Sequence, residues 1–137
     1  MNTLKCSKCV GTLHPVSYED IHIYRCDTCS GLLCTPEMLN AMERTYLSEA
    51  ALDTGDPSIG RKMNAIGNFS CPNCGTCMDP TYDPEQVHIW YEVCPNCSHI
   101  WLDAGEFTDL KYKTLMDKLR SMLRGKRPQA TAGSSSS

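Results

Sequence analysis

Four C-x-x-C pairs, Cys6/Cys9, Cys26/Cys29, Cys71/Cys74 and Cys94/Cys97, recur along the chain at matched spacing. Sixteen residues lie between the first and second pairs and 19 between the third and fourth. Superposing Cys29 on Cys97 aligns more than thiols. The stretch Ile21 to Arg25 falls on Ile89 to Val93, and both read as a strand entering the second pair of their half. Side chains alternate faces along a strand, so Ile21 and Ile23 match Ile89 and Tyr91 on one face. After the second pair come SGLLCTPE in one half and SHIWLDAGE in the other. The chain is therefore two copies of one unit: C-x-x-C, hairpin, C-x-x-C, helix.

Ten cysteines in 137 residues require an explanation in chemistry. Cysteine-dense chains rest on disulfides in oxidising compartments or on metals in reducing ones. The opening MNTLKCSKCV lacks a basic-then-apolar signal pattern, and no apolar run reaches the length of a membrane span. A reduced, cytoplasmic chain with no membrane partner is the expectation.

Each copy is also too small, with too few large apolar side chains, to hold itself together by burial alone. A structural Zn2+ supplies the missing stabilisation. It takes four tetrahedral ligands and favours thiolates, and two C-x-x-C pairs at this spacing suit a zinc ribbon. Two ions are expected. One is bound by Cys6, Cys9, Cys26 and Cys29, the other by Cys71, Cys74, Cys94 and Cys97. Pairing within copies is favoured over exchange between them because it closes shorter loops. A C-x-x-C turn also aims backbone N–H groups at sulfur. Gly75 fits such a turn after Cys74, while Val10, Ser30 and Ser98 hold the matching places, with Gly11 and Gly31 next to two of them. A thioredoxin-like redox role fits poorly, because no βαβ pattern flanks the pairs. Of the two remaining cysteines, Cys34 reads as a small buried hydrophobe and Cys77 as a spare thiol near the metal.

Each copy then turns into a helix. Asp103 and Glu106 have the D-x-x-E form of a capping box, in which Asp103 accepts from early helix N–H groups and Glu106 reaches back. Leu102 and Phe107 occupy the places of a hydrophobic staple. In the first copy Thr35 is the cap and Pro36 the first helical residue. Trp101 and Leu102 are expected to fill the gap between helix and ribbon. Residues 36–51 carry Leu39, Met42, Tyr46, Leu47 and Ala50 at near-helical spacing; residues 104–124 carry Tyr112, Leu115, Met116, Leu119, Met122 and Leu123 as a broad stripe. Two uses of that stripe stay open: cover for its own ribbons, or a surface for a partner or for self-association through 104–124.

The expected fold is a small metal-stabilised α+β chain of two tandem zinc ribbons, β-hairpins with four-cysteine sites, each followed by a helix. The first ribbon and its helix span 1–52, a linker 53–70, the second ribbon and its long helix 71–124, and a disordered Gly/Ser/Pro-biased tail 125–137. The linker lacks a sustained period and is rich in Asp, Gly, Pro and Ser.

The motifs CPNCG at Cys71 and CPNCSHIWLDAGEF at Cys94 resemble the transcription-factor-IIB-type zinc-ribbon family of small prokaryotic proteins. The first copy, CSKCVG and CDTCSGLLCTPE, lacks both prolines and the Trp-Leu-Asp, and resembles the family as a diverged member. Together the copies cover most of residues 4–110. The resemblance implies two four-cysteine zinc sites on ribbon folds and leaves activity open.

Three function classes can be weighed. A non-catalytic adaptor or regulator with a protein partner, with a role in transcription as one form, uses the ribbon loops and the apolar helix stripe. A nucleic-acid binder would use the basic end of the chain, where residues 111–137 carry seven Lys/Arg against one acidic residue while residues 1–110 are acidic. Lys111, Lys113, Lys118, Arg120, Arg124, Lys126 and Arg127 supply that charge, with Tyr82, Trp90 and Tyr91 as stacking aromatics. Enzymatic activity is not expected. Catalytic zinc keeps an open position, His14, His22, His88 and His99 share no repeat position, and no Ser-His-Asp pattern, phosphate loop or H-E-x-x-H occurs.

Overall fold

Alternating residues flanking the thiol pairs fold into hairpins, and two short, wholly apolar strands join the hairpins into one sheet. The computed structural model describes residues 4–66, 69–83 and 86–125. In the first copy β1 (Leu4–Lys5), β2 (Thr12–Tyr18), β3 (Ile21–Cys26) and β4 (Leu32–Cys34) pair antiparallel in order. Helices α1 (Pro36–Arg44), α2 (Ser48–Leu52) and α3 (Pro57–Asn64) follow. The second copy has β5 (Asp79–Asp83), β6 (Gln86–Val93), β7 (Ile100–Leu102) and α4 (Glu106–Gly125). Its counterpart of β1 is a single bridge between Ser70 and Cys77.

The strand order is β1-β2-β3-β4-β7-β6-β5. Strands β4 and β7 pair antiparallel, with Leu32 opposite Leu102, Leu33 opposite Trp101 and Cys34 opposite Ile100. Leu33 and Trp101 hold the same position in the repeat, so a local two-fold axis passes between them. All three residues of both strands are buried, as expected where a strand is covered on both faces.

The pleat sends neighbours to opposite sides. Leu32, Cys34, Ile100 and Leu102 face the helices, packing with Met42, Leu52, Phe107 and Leu110. Leu33 and Trp101 face the other way, among Leu13, Phe69, Met78 and the cysteines. The expected filling of the helix–ribbon gap thus holds for Leu102 alone. Trp101 is fully buried between the two thiol clusters. A Cβ on Gly31 would collide with its ring, so the first copy needs glycine there to admit the indole of the second.

Three helical expectations are corrected. The stretch 36–51 is broken: α1 ends at Arg44, Leu47 takes a left-handed φ of 62°, and α2 restarts at Ser48. The break is stabilised where α1's last carbonyls find side-chain donors, with the Ser48 hydroxyl donating to Met42 O and Lys111 Nζ to Thr45 O. Tyr46 and Leu47 consequently face outward. The 53–70 stretch, expected to lack regular structure, carries α3, opened by an Asp56 cap that accepts from Ser58 N and by Pro57 at the first position.

The third correction concerns the capping box. Glu106 does reach back, accepting from Asp103 N at 2.8 Å. Asp103 turns away from the helix, and Gly105, at φ 87°, swings the chain before α4 starts. The helix N-terminus is instead capped by Asp53. Its carboxylate accepts from Gly105 N at 2.9 Å, Thr108 N at 2.9 Å and the Thr108 hydroxyl at 2.8 Å. The Thr35 cap of α1 is as expected, accepting from Met38 N at 3.2 Å with Pro36 following. Cys34 is buried as expected, and burial pushes its thiol up to about 12.

Residues 126–137 of the expected tail lie outside the described residues, as do the side chains of Tyr82, His88, Ile89, Trp90, Lys118 and Arg124. Among the described residues no helix is long and apolar enough to cross a membrane. Asp53 ties the connector to the second helix, so Asp53→Ala should cost about 1–2 kcal/mol. The expected outcome is a lower denaturation midpoint of the zinc-loaded chain in urea, with metal content unchanged.

Candidate metal centres

Each metal centre is built from two turns of one design. In all four, the first cysteine's N–H donates to the carbonyl five residues on: Cys6 to Gly11 at 3.0 Å, Cys26 to Gly31 at 2.9 Å, Cys71 to Thr76 at 2.7 Å and Cys94 to His99 at 2.8 Å. In three of them the residue after the second cysteine is left-handed: Ser30 at φ 63°, Gly75 at 84° and Ser98 at 69°. The serines adopt this conformation themselves; Gly11 and Gly31 do not relieve it. Such closed turns direct N–H groups at sulfur. Lys8 N donates to Cys6 Sγ at 3.4 Å, Gly11 N to Cys9 Sγ at 3.3 Å, Asn73 N to Cys71 Sγ and Asn96 N to Cys94 Sγ, both at 3.4 Å.

The thiols converge within copies. Cys6, Cys9, Cys26 and Cys29 form one group and Cys71, Cys74, Cys94 and Cys97 another, with all sulfurs of a group within 4.8 Å of each other. Separations across the hairpins are 3.9 Å for Cys6–Cys29, 3.4 Å for Cys9–Cys26, 3.6 Å for Cys71–Cys97 and 3.4 Å for Cys74–Cys94. A tetrahedral zinc with Zn–S bonds of about 2.3 Å sets its sulfurs about 3.8 Å apart, so both groups fit the ion. Four thiolates close the coordination sphere and give a structural site, in which the ion supplies cross-linking.

Electrostatics points to the same cation. Four thiols this close cannot all ionise without positive charge among them. In the first group the hydrogen bond from Cys29 lowers Cys6 to about 5, while burial raises Cys9 to about 11 and the bond with Cys6 drives Cys29 upward. In the second, the Asn96 side chain lowers Cys74 to about 5 and burial raises Cys71 to about 12. A dication replaces the protons that hold this uneven state.

The groups differ in their surroundings. Three of the first group's cysteines are buried, whereas Cys74 of the second is exposed. The second gathers polar neighbours: Asn73 Nδ2 donates to Cys97 Sγ at 3.6 Å, Asn96 Nδ2 to Cys74 Sγ at 3.5 Å, and His99 Nδ1 lies 3.2 Å from Cys97 Sγ. The paired CPNC motifs carried this signal, with asparagine at one place in each. The position of His99, which lacks a counterpart in the repeat, gave none. Cys77 is exposed, with its thiol 3.8 Å from Met78 O. His14 pairs with Asp27 at 3.1 Å and His22 with Ser17 at 2.9 Å, both at the surface.

Sequence reasoning missed what lies between the centres. Lys8, inside the first C-x-x-C, has a fully buried side chain that crosses into the second copy. Its Nζ donates to Asp103 Oδ2 at 2.9 Å and Met63 O at 3.1 Å, lies 3.8 Å from Glu92 Oε2, and stands over the Phe69 ring at 4.6 Å. Asp103 Oδ1 accepts from Trp101 Nε1 at 2.8 Å. These contacts explain why Asp103 leaves the helix uncapped. Burial, against the pull of Lys8, raises Glu92 to about 7, and burial beside Asp103 raises Glu106 to about 9.

The family model described as transcription factor zinc-finger matches the chain twice, at residues 5–44 and 70–113. No curated protein and no solved structure matches it.

Two measurements follow. Native mass spectrometry should find two zinc ions per chain. Chelation, or acid that protonates the thiolates, should release them and abolish cooperative structure, because such ions contribute about 10–16 kcal/mol each at pH 7, more than a domain's net stability. Lys8→Met should destabilise the loaded chain by about 3–5 kcal/mol by leaving Asp103 buried without its cation. Adding Asp103→Asn should recover part of that loss, and a double-mutant cycle in urea reads the coupling.

Proposed function

From the premise that this chain belongs to the transcription factor zinc-finger family, we propose that it is a zinc-stabilised, non-catalytic adaptor or regulator that binds a protein partner. In this reading Cys6, Cys9, Cys26 and Cys29 hold one ion, and Cys71, Cys74, Cys94 and Cys97 the other. The ions serve to hold a binding surface in shape. The observation that carries the reading is the second half of α4. Beyond Leu110 the helix turns one apolar face to solvent, and Tyr112, Leu115, Leu119, Met122 and Leu123 are 61%, 55%, 44%, 63% and 70% exposed. A contiguous apolar face of this kind marks a contact site. It continues into a groove of about 400 Å³ between α4 and the α1–α2 break, floored by Tyr46, Leu47, Tyr112 and Leu115.

The nucleic-acid reading has the basic charge of residues 111–137 behind it. Of its stacking aromatics, Tyr91 packs against the helix-side core, which weakens that reading. Catalysis is disfavoured by the donor set, because four thiolates leave zinc no open position for a substrate or water.

The test is affinity capture with zinc-loaded chain, comparing wild type with Leu115→Glu/Leu119→Glu. A defined protein retained through moderate salt by wild type and lost from the variant is the expected result. Recovery of nucleic acid alone, falling steeply with salt, would favour the second reading.

A further inference from the structure

The outer half of the second metal centre is built differently from that of the first. The first cysteine of every pair is buried: Cys6, Cys26, Cys71 and Cys94. The second cysteines differ between centres. Cys29 is buried and Cys9 half-buried, whereas Cys97 is half-buried and Cys74 exposed. The second centre thus turns two cysteines toward water where the first turns one.

Polar side chains meet those two sulfurs from two places in the turn. The third residue of the C-x-x-C is Asn73 in one turn and Asn96 in the other. Each reaches across the hairpin to the opposite turn, Asn73 Nδ2 donating to Cys97 Sγ at 3.6 Å and Asn96 Nδ2 to Cys74 Sγ at 3.5 Å. The fifth residue after the first cysteine, different in kind in the two turns, adds a second contact. The Thr76 hydroxyl lies 3.4 Å from Cys74 Sγ, and His99 Nδ1 lies 3.2 Å from Cys97 Sγ. The first centre puts the matching residues to other uses. Lys8 runs to Asp103, and the Thr28 hydroxyl donates to Asp27. Gly11 and Gly31 hold the fifth place, where a Cβ would collide with Cys26 Sγ and with the Trp101 ring. Close packing around the first centre therefore excludes the side chains that the second collects.

Four thiolates around one dication leave an excess of negative charge on sulfur, and hydrogen bonds to the charged form stabilise it. Donors in contact with water contribute modestly, because water competes for both partners. Burial acts more completely, since it keeps water and competing ligands from the sulfurs altogether.

We infer that the first centre keeps its ion by burial and the second by this polar shell, and that the second is the exchangeable centre, yielding its zinc to a chelator while the first stays filled. Asn73 and Asn96 are positioning residues that set the second centre's affinity through Cys97 and Cys74. The chain then has two metal states, one with both ions and one with the first alone.

The full, zinc-loaded chain is challenged with EDTA at fixed pH and sampled over time. Native mass spectrometry counts the ions, and N-ethylmaleimide labelling with peptide mapping shows which thiols have been freed. Chains holding one ion should be labelled at Cys71, Cys74, Cys94 and Cys97 and protected at Cys6, Cys9, Cys26 and Cys29. Cys77, exposed and outside both groups, labels throughout and serves as the reference. Asn73→Ala/Asn96→Ala should still take two ions at saturating zinc. In EDTA competition its second centre should show a dissociation constant raised about 10- to 100-fold, with the first centre unchanged. Labels on the first group in one-ion chains, or loss of both ions with no one-ion chain between, overturns the order of release. An unchanged second-centre affinity in the double variant overturns the role given to the asparagines.

Discussion

Convergence of four thiolates on one dication, twice, is the constraint on which this structure depends. Each closed turn holds two sulfurs and little else, and the first hairpin adds only a small set of buried apolar side chains, Leu13, Ile21 and Ile23. The ion turns two weak turns into one cross-linked end. Once both ends are set, Leu33 and Trp101 sit between the clusters on one side of the sheet, and the short strands beside them come into register. The helix-side core forms on the opposite face, where Leu32, Cys34, Ile100 and Leu102 project. Metal, central pairing and core thus form a sequence of dependence, with burial completing what coordination begins.

The local parts of this architecture were legible in the sequence. Thiol spacing gave the two groups, shorter loop closure gave their pairing within copies, the repeat gave the hairpins, and Thr35-Pro36 gave the start of α1. What stayed hidden was the joint between copies. LLC and IWL are three-residue strands with every side chain buried, and so short an apolar run has no period to separate strand from helix. Segment 53–64 hides its helix for a different reason. Its Asp56-Pro57 start is a helix signal, but Gly55 and Gly60 around it suggest a loop. Gly60 is a glycine for space, since a Cβ there would run into the Ala104 carbonyl.

Two side chains escaped for a shared physical reason. Lys8 and Asp103 are residue types that seek water, and sequence patterns place them on surfaces or at caps. Only the joining of the copies gives each the partner that lets it be buried. The helix then lacks its local cap, and Asp53, from the connector, supplies it. A nearby residue predicted to do a job was drawn into a stronger interaction, and a distant one took its place.

The pseudo-two-fold joint is symmetric in its backbone and asymmetric in its charges, and the asymmetry specifies which copies may pair. At the repeat positions of Lys8, Glu92 and Asp103 the other copy has Asn73, Tyr24 and Thr35. The buried cation and its two carboxylates therefore occur once, across a single combination of first and second ribbon. A joint between two second ribbons would bury Asp103 and Glu92 twice with no lysine among them. A joint between two first ribbons would bury Lys8 twice with no carboxylate. Each mismatched pairing strands an ion in a medium that solvates it poorly, a cost of several kcal/mol per charge. Gly31 and Trp101 add a steric form of the same selection, since the indole needs the glycine opposite it and the first copy carries Leu33 in its place. Specificity here comes from what the wrong partner leaves unpaired as much as from what the right one binds. The central joint is thereby kept within one chain.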